Sequence, residues 1–138
     1  MKESKFIELE HTADIKYSIL GKSLNELFEN SALAFSSYIS GNTKINKKLK
    51  KEINLNADNK ESLLYGFIDE LIYLLDAENF AVSSAKIKIS KDEKSLSGVL
   101  LGDLTKNNNL KHVKAATYAE MFIKKSGKSF SAQIVLDI

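Results

Sequence analysis

Apolar and polar positions repeat with two different periods along this chain, and the changes of period mark its elements. Phe6-Ile7-Glu8-Leu9 predicts a short strand. His11-Thr12-Ala13-Asp14 predicts a loop. Ile15-Lys16-Tyr17-Ser18-Ile19 alternates every second residue and predicts a second strand ending near Gly21. The period then becomes helical. Leu24, Leu27, Phe28, Ala32, Phe35 and Ile39 fall on one face of a helix from about residue 23 to about residue 39. Ser23 and Glu26 form a capping box at its start, and Gly41-Asn42 can end it.

Lys51 to Ala57 alternates again and predicts a strand. Asp58 or Asn59 can cap the next helix, whose stripe of Leu63, Leu64, Phe67, Ile68, Leu71, Ile72, Leu74 and Leu75 predicts the most buried element of the chain. That helix ends near Asn79. Strand patterns dominate afterwards, over 82–90, 95–102, 111–124 and 128–138, with Lys125-Ser126-Gly127-Lys128 as a hairpin turn between the last two. In the final strand Phe130, Ala132, Ile134, Leu136 and Ile138 share one face, and Ser131, Gln133, Val135 and Asp137 share the other. Six or seven strands and two helices predict an α+β fold of two layers, with both helices on one face of a mostly antiparallel or mixed sheet.

Length and composition narrow this. A chain of 138 residues with 43% apolar residues can bury one core, and no Pro-rich linker or internal repeat divides it, so 1–138 reads as a single domain. Cys is absent, which excludes disulfides and thiolate metal sites. No apolar run reaches the ~20 residues that span a bilayer, and the charged start lacks a signal-peptide pattern, so the cytoplasm is the expected location, away from membranes. The net charge is +2, and every basic residue is Lys. Without Arg the usual fork for phosphates and base edges is missing, so direct readout of RNA or DNA is not expected.

Candidate chemistry is sparse. No Gly-rich phosphate loop, nucleophile elbow or HExxH zinc motif occurs, and His11 and His112 are the only histidines. Asp14, in its predicted loop, could face a cation or simply bond its own backbone. Asp137 stands next to Ile138, whose α-carboxylate is expected to be free, and two anionic groups that close call for a cation or a Lys between them. Asp69, Glu70 and Asp76 fit the solvated side of a helix. Lys44, Lys47, Lys48, Lys50 and Lys51 could meet phosphate, but no aromatic residues interleave them, and a Lys-guarded edge strand fits them better. Lys111, His112 and Lys114 open a predicted strand.

These segments together resemble the archease family. The matching stretches are His11-Thr12-Ala13-Asp14, Leu27-Phe28-Glu29-Asn30-Ser31-Ala32-Leu33-Ala34-Phe35, Asp69-Glu70-Leu71-Ile72-Tyr73-Leu74-Leu75-Asp76, Val113-Lys114-Ala115-Ala116-Thr117-Tyr118 and Ile134-Val135-Leu136-Asp137-Ile138. They occur in the family's order over the length of the chain. The resemblance implies an accessory factor, not an enzyme, that assists an RtcB-type RNA ligase in tRNA splicing or RNA repair. It would promote guanylylation of the ligase's active-site histidine by GTP and allow multiple turnover. It implies a divalent metal ion, calcium first, with magnesium or manganese as alternatives. Its ligands would be Asp14, Asp137 and the main chain of Ile138. Lys114 and His11 would contact the ligase or a phosphate, and RNA would be reached only through the ligase. One departure is Ala119, where the family usually has His. The competing readings are a small metal-dependent phosphoester hydrolase using the same aspartates, and a general chaperone or RNA-binding module.

Overall fold

The computed structural model describes residues 5–9, 14–41, 43–105 and 110–138. Its elements are β1 (Phe6–Leu9), β2 (Asp14–Gly21), α1 (Leu24–Ser40), β3 (Leu49–Asn56), α2 (Lys60–Glu78), β4 (Phe80–Ile89), β5 (Ser95–Leu104), β6 (Ala115–Ala116), β7 (Phe122–Ser126) and β8 (Ser129–Asp137).

Both helices start where a short polar side chain can satisfy a free N–H. At α1 the Ser23 hydroxyl accepts from the Glu26 amide at 3.1 Å. The Glu26 carboxylate reaches back one residue further than the capping box predicts, to the Lys22 amide at 3.1 Å. Of the two cap candidates at α2, Asn59 takes the role, its side chain accepting from the Ser62 amide at 2.8 Å. The ends also follow local chemistry. Gly41 adopts φ 55° after α1, and Asn79 turns left-handed after α2, its N–H donating to the Leu74 carbonyl.

The strands form two antiparallel sheets where the alternation suggested one. The larger runs β1-β2-β8-β6, with β7 also paired to β8; the smaller runs β3-β5-β4. α1 packs on β2 and β4 and so ties the sheets together, while α2 lies chiefly on β4 and also touches β6 and β3. The core between them is apolar apart from Asn30 and Ser31 of α1, whose side chains donate to the Leu20 and Leu27 carbonyls. Phe28 of α1 meets Phe67 of α2 with ring centroids 5.8 Å apart, and both rings are fully buried. Burying side chains of this size contributes roughly 1.5–3 kcal/mol each. The whole predicted stripe of α2 is buried.

The predicted faces of β8 hold for its inner row: Ala132, Ile134 and Leu136 enter the core opposite Ile19, Tyr17 and Ile15 of β2. Val135 points to the other face and is buried too, at 1% exposure, outside the core cluster. Gly102 marks a close approach in the smaller sheet. A Cβ there would lie 2.1 Å from the Ala81 carbonyl oxygen, next to a bulge between Val82 and Ser84.

One predicted strand is corrected. Residues 111–124 do not run as one extended segment. β6 covers two residues, and β7 begins at Phe122. Ala116 pairs with Leu136 and Phe122 with Gln133. Six steps on one side thus face three on the other, and the surplus loops out as a strap over residues 117–121. Glu120 takes φ 67° there. The strap is pinned by Thr117 N–H to the Val135 carbonyl at 2.9 Å and by the Gln133 side chain to the Glu120 carbonyl at 2.7 Å. No helix among the described residues is long and apolar enough to cross a membrane.

Candidate metal centre

β2 begins at Asp14 and β8 ends at Asp137. Because the two strands are antiparallel, the start of one lies beside the end of the other. The register sets Asp14 directly opposite Asp137. Residues paired this way share a face, with Cβ atoms about 4.5–5.5 Å apart. Ile15 and Leu136, the next pair, turn to the core, so the two carboxylates stand on the outer face. Both aspartates are half-buried. Asp14 is therefore the first residue of a strand rather than part of a loop.

Asp137 is held from its other side as well. Ala115 pairs with it through β6, and the Lys114 amide donates to its carbonyl at 2.8 Å. The strand end is tied down, as the alternation through Ile138 predicts. Lys114 thus reaches the site through its main chain, and its side chain is exposed. Ala115, on the same outer face as Asp137, adds only a methyl group there. Ile138 follows at 38% exposure.

The same face carries groups that the sequence reading did not single out. Lys16 lies opposite Val135, two paired steps from the aspartates, and its Nζ is 3.0 Å from Glu120 Oε1. Glu120 is thereby tied to Lys16 by its side chain and to Gln133 by its carbonyl. That places the strap over Val135 and accounts for the burial of this outward-facing residue. Alternation puts Lys16 and Gln133 on the face of Asp14 and Asp137, so those two were findable. Glu120 was not, because its placement depends on a turn inside a segment that reads as a strand.

The remaining sequence candidates lie elsewhere. His11 is outside the described residues. His112 is exposed and lines a hollow with Asp76, Asn79 and Lys111, whose walls include neither Asp14 nor Asp137. Asp69 and Asp76 are exposed on α2. The Glu70 carboxyl is pushed up from its usual range by burial and by the charges of Glu78 and Asp69, against the pull of Lys51. Lys51 itself pairs with Glu78 and lies over the Phe80 ring. Ala119, in the strap, is exposed.

Two opposed carboxylates are an unfavourable cross-strand pair unless positive charge lies near them. Their donors are all oxygen, which suits a hard divalent cation. Among the described residues no third Asp, Glu or His joins them in a metal-binding cluster. The two side chains, with main-chain oxygen at Ile138, would fill only part of a coordination shell. Within that limit the residues fit a hard cation.

Comparison with known proteins points one way. The model of the Archease protein family matches residues 6–138. The "Protein archease" of Pyrococcus furiosus is 41% identical over 94% of this chain and 95% of its own length. That of Pyrobaculum neutrophilum is 37% identical over 94% of this chain and 92% of its own length. The solution structure of Methanobacterium thermoautotrophicum protein 1598 superposes with a TM-score of 0.79 at 27% identity, covering 97% of this chain and 99% of that one. A Thermotoga maritima crystal structure described as "an archease, possible chaperone" shares the fold, with a TM-score of 0.65 at 22% identity over 100% of this chain and 98% of that one.

Proposed function

Because this chain belongs to the archease family, we propose that it is an accessory factor, not an enzyme, for an RtcB-type RNA ligase of tRNA splicing or RNA repair. It acts in the cytoplasm by promoting guanylylation of the ligase and its multiple turnover. RNA reaches it only through the ligase, and neither DNA nor a membrane is a partner. The observation that supports this best is the register that sets Asp14 opposite Asp137.

Asp14 and Asp137, with main-chain oxygen at Ile138, hold the negative charge that a divalent cation needs. The cation class is calcium, with magnesium or manganese as alternatives. Such an ion supplies positive charge with open coordination positions at the surface of the outer face. The pairing of β6 with Asp137 holds the main chain from which that carboxylate extends. The exposed side chain of Lys114, one residue before β6, offers a second positive group to the ligase or to a nucleotide phosphate.

The test uses a purified RtcB-type ligase with GTP and metal. Guanylylation and ligation turnover are followed with and without this chain, and the chain alone is assayed on a phosphoester. Faster guanylylation, with no phosphoester turnover by the chain alone, is the expected result. Hydrolysis by the chain alone, with no effect on the ligase, replaces this reading with that of a metal-dependent hydrolase.

A further inference from the structure

The smaller sheet treats its two edges differently. At β4, side chains of α1 take up main-chain N–H groups: Glu29 Oε2 accepts from Ile87 at 2.9 Å and Asn25 Oδ1 from Ile89 at 2.8 Å. β3 has no such cover among the described residues. It pairs with β5 over its 8 residues without a register shift, and its other side is the end of the sheet. A regular edge of this length presents main-chain donors and acceptors to any extended chain that can approach.

Charge decides which chain that is. Lys44, Lys47, Lys48 and Lys50 crowd the start of β3, all exposed, and none is in an ion pair among the described residues. Such lysines keep the edge from pairing with a second copy of itself, because like charges would meet. The same lysines favour a strand that carries carboxylates. A guard alone would be polar throughout, and this edge is not. Leu49 is 39% exposed and Leu104 is 52% exposed at the same end of the sheet. Together with Ile45 and Leu110 they line a cavity of about 500 Å³, whose walls also include Lys44 and Lys48.

We propose that the open edge of β3 is a docking site for an extended acidic segment of a partner protein. The segment adds as a strand beside β3. An apolar side chain enters the cavity at Ile45, Leu49, Leu104 and Leu110, and its carboxylates meet Lys44, Lys47, Lys48 and Lys50. The core-side row of β3 contains Ile53 and Leu55, and its outer row contains Lys50, Glu52 and Asn54. A segment that alternates apolar and polar residues continues both rows, with its carboxylates favoured beside Lys50 rather than Glu52. The site lies on the other sheet from Asp14 and Asp137 and stands whether or not the ligase is the partner. RNA fits less well, since no aromatic residue lies among the lysines to stack a base.

The experiment uses the full chain and a blocked synthetic peptide, about as long as β3, that alternates Glu and Val. Amide hydrogen exchange is read residue by residue. The expected result is that the peptide slows exchange of β3 amides about tenfold or more. The same peptide N-methylated at alternate residues fails to do so, and the double variant Lys47→Glu, Lys48→Glu weakens binding about tenfold. Three results overturn the proposal: β3 amides unaffected by the acidic peptide, equal protection by a Lys-Val peptide, or protection by a short single-stranded RNA but not by the acidic peptide.

Discussion

The larger and the smaller sheet place their charges in opposite ways. On the larger, two carboxylates meet in the interior of the strand order, between β2 and β8, with β6 closing the far side of Asp137. On the smaller, lysines gather at an open edge. Interior strands fix a register, because a one-residue slip would exchange the core row for the outer row. They can therefore hold two aspartates in opposition. An edge strand lacks a neighbour on one side, so what it offers is main-chain pairing and a charge that selects partners. Precise geometry belongs to the larger sheet and open recognition to the smaller.

Substitutions can separate the two. Phe67→Ala removes a ring shared by the core under both sheets and should cost about 3–5 kcal/mol in chemical denaturation, with both sheets losing exchange protection together. Loss confined to the smaller sheet would show that the cores are independent. Gly102→Ala forces a methyl group toward the Ala81 carbonyl and should cost about 1–3 kcal/mol. Its effect should centre on β4 and β5. Gly66→Ala in α2 is the control, since nothing lies within 4 Å of its added Cβ; it should stabilise by about 0.5–1 kcal/mol. Asn25→Ala leaves the Ile89 N–H without its acceptor and should cost about 1 kcal/mol, with faster exchange at the β4 edge. Glu120→Ala, on the larger sheet, removes a surface-exposed ion pair and should cost under about 1 kcal/mol.

The smallest effect concerns pH. Glu70 holds its proton more tightly when folded than when unfolded. The folded state then binds more protons over that range, so stability falls as pH rises from the normal carboxylate pKa through the raised one. Glu70→Gln should flatten this slope in denaturation curves taken across mildly acidic pH, and an unchanged slope would remove Glu70 as its source.

How much of this was legible depends on how local the cause is. α1 was readable to within a residue because Ser23, Glu26 and Gly41 act on their own neighbours. The β7–β8 hairpin was readable because Gly127 takes φ 62° in a two-residue turn between Ser126 and Ser129. Alternation reports which face a residue occupies, not which strand lies beside it, so the division into two sheets was not visible. Residues 111–124 alternate well enough to read as one strand, but β8 accommodates them only in two pieces. The opposition of Asp14 and Asp137 joins the two ends of the chain. No periodicity carries it; each residue was a weak candidate on its own, family resemblance joined the two, and the β2–β8 register sets them opposite one another.

The most direct test is the rate of guanylylation of a purified RtcB-type ligase with wild-type chain and with Asp14→Ala and Asp137→Ala variants whose unfolding curves match wild type. If the opposed pair is the working site, wild type accelerates the step and each folded variant loses that acceleration by about tenfold or more. Folded variants that accelerate as well as wild type would contradict it.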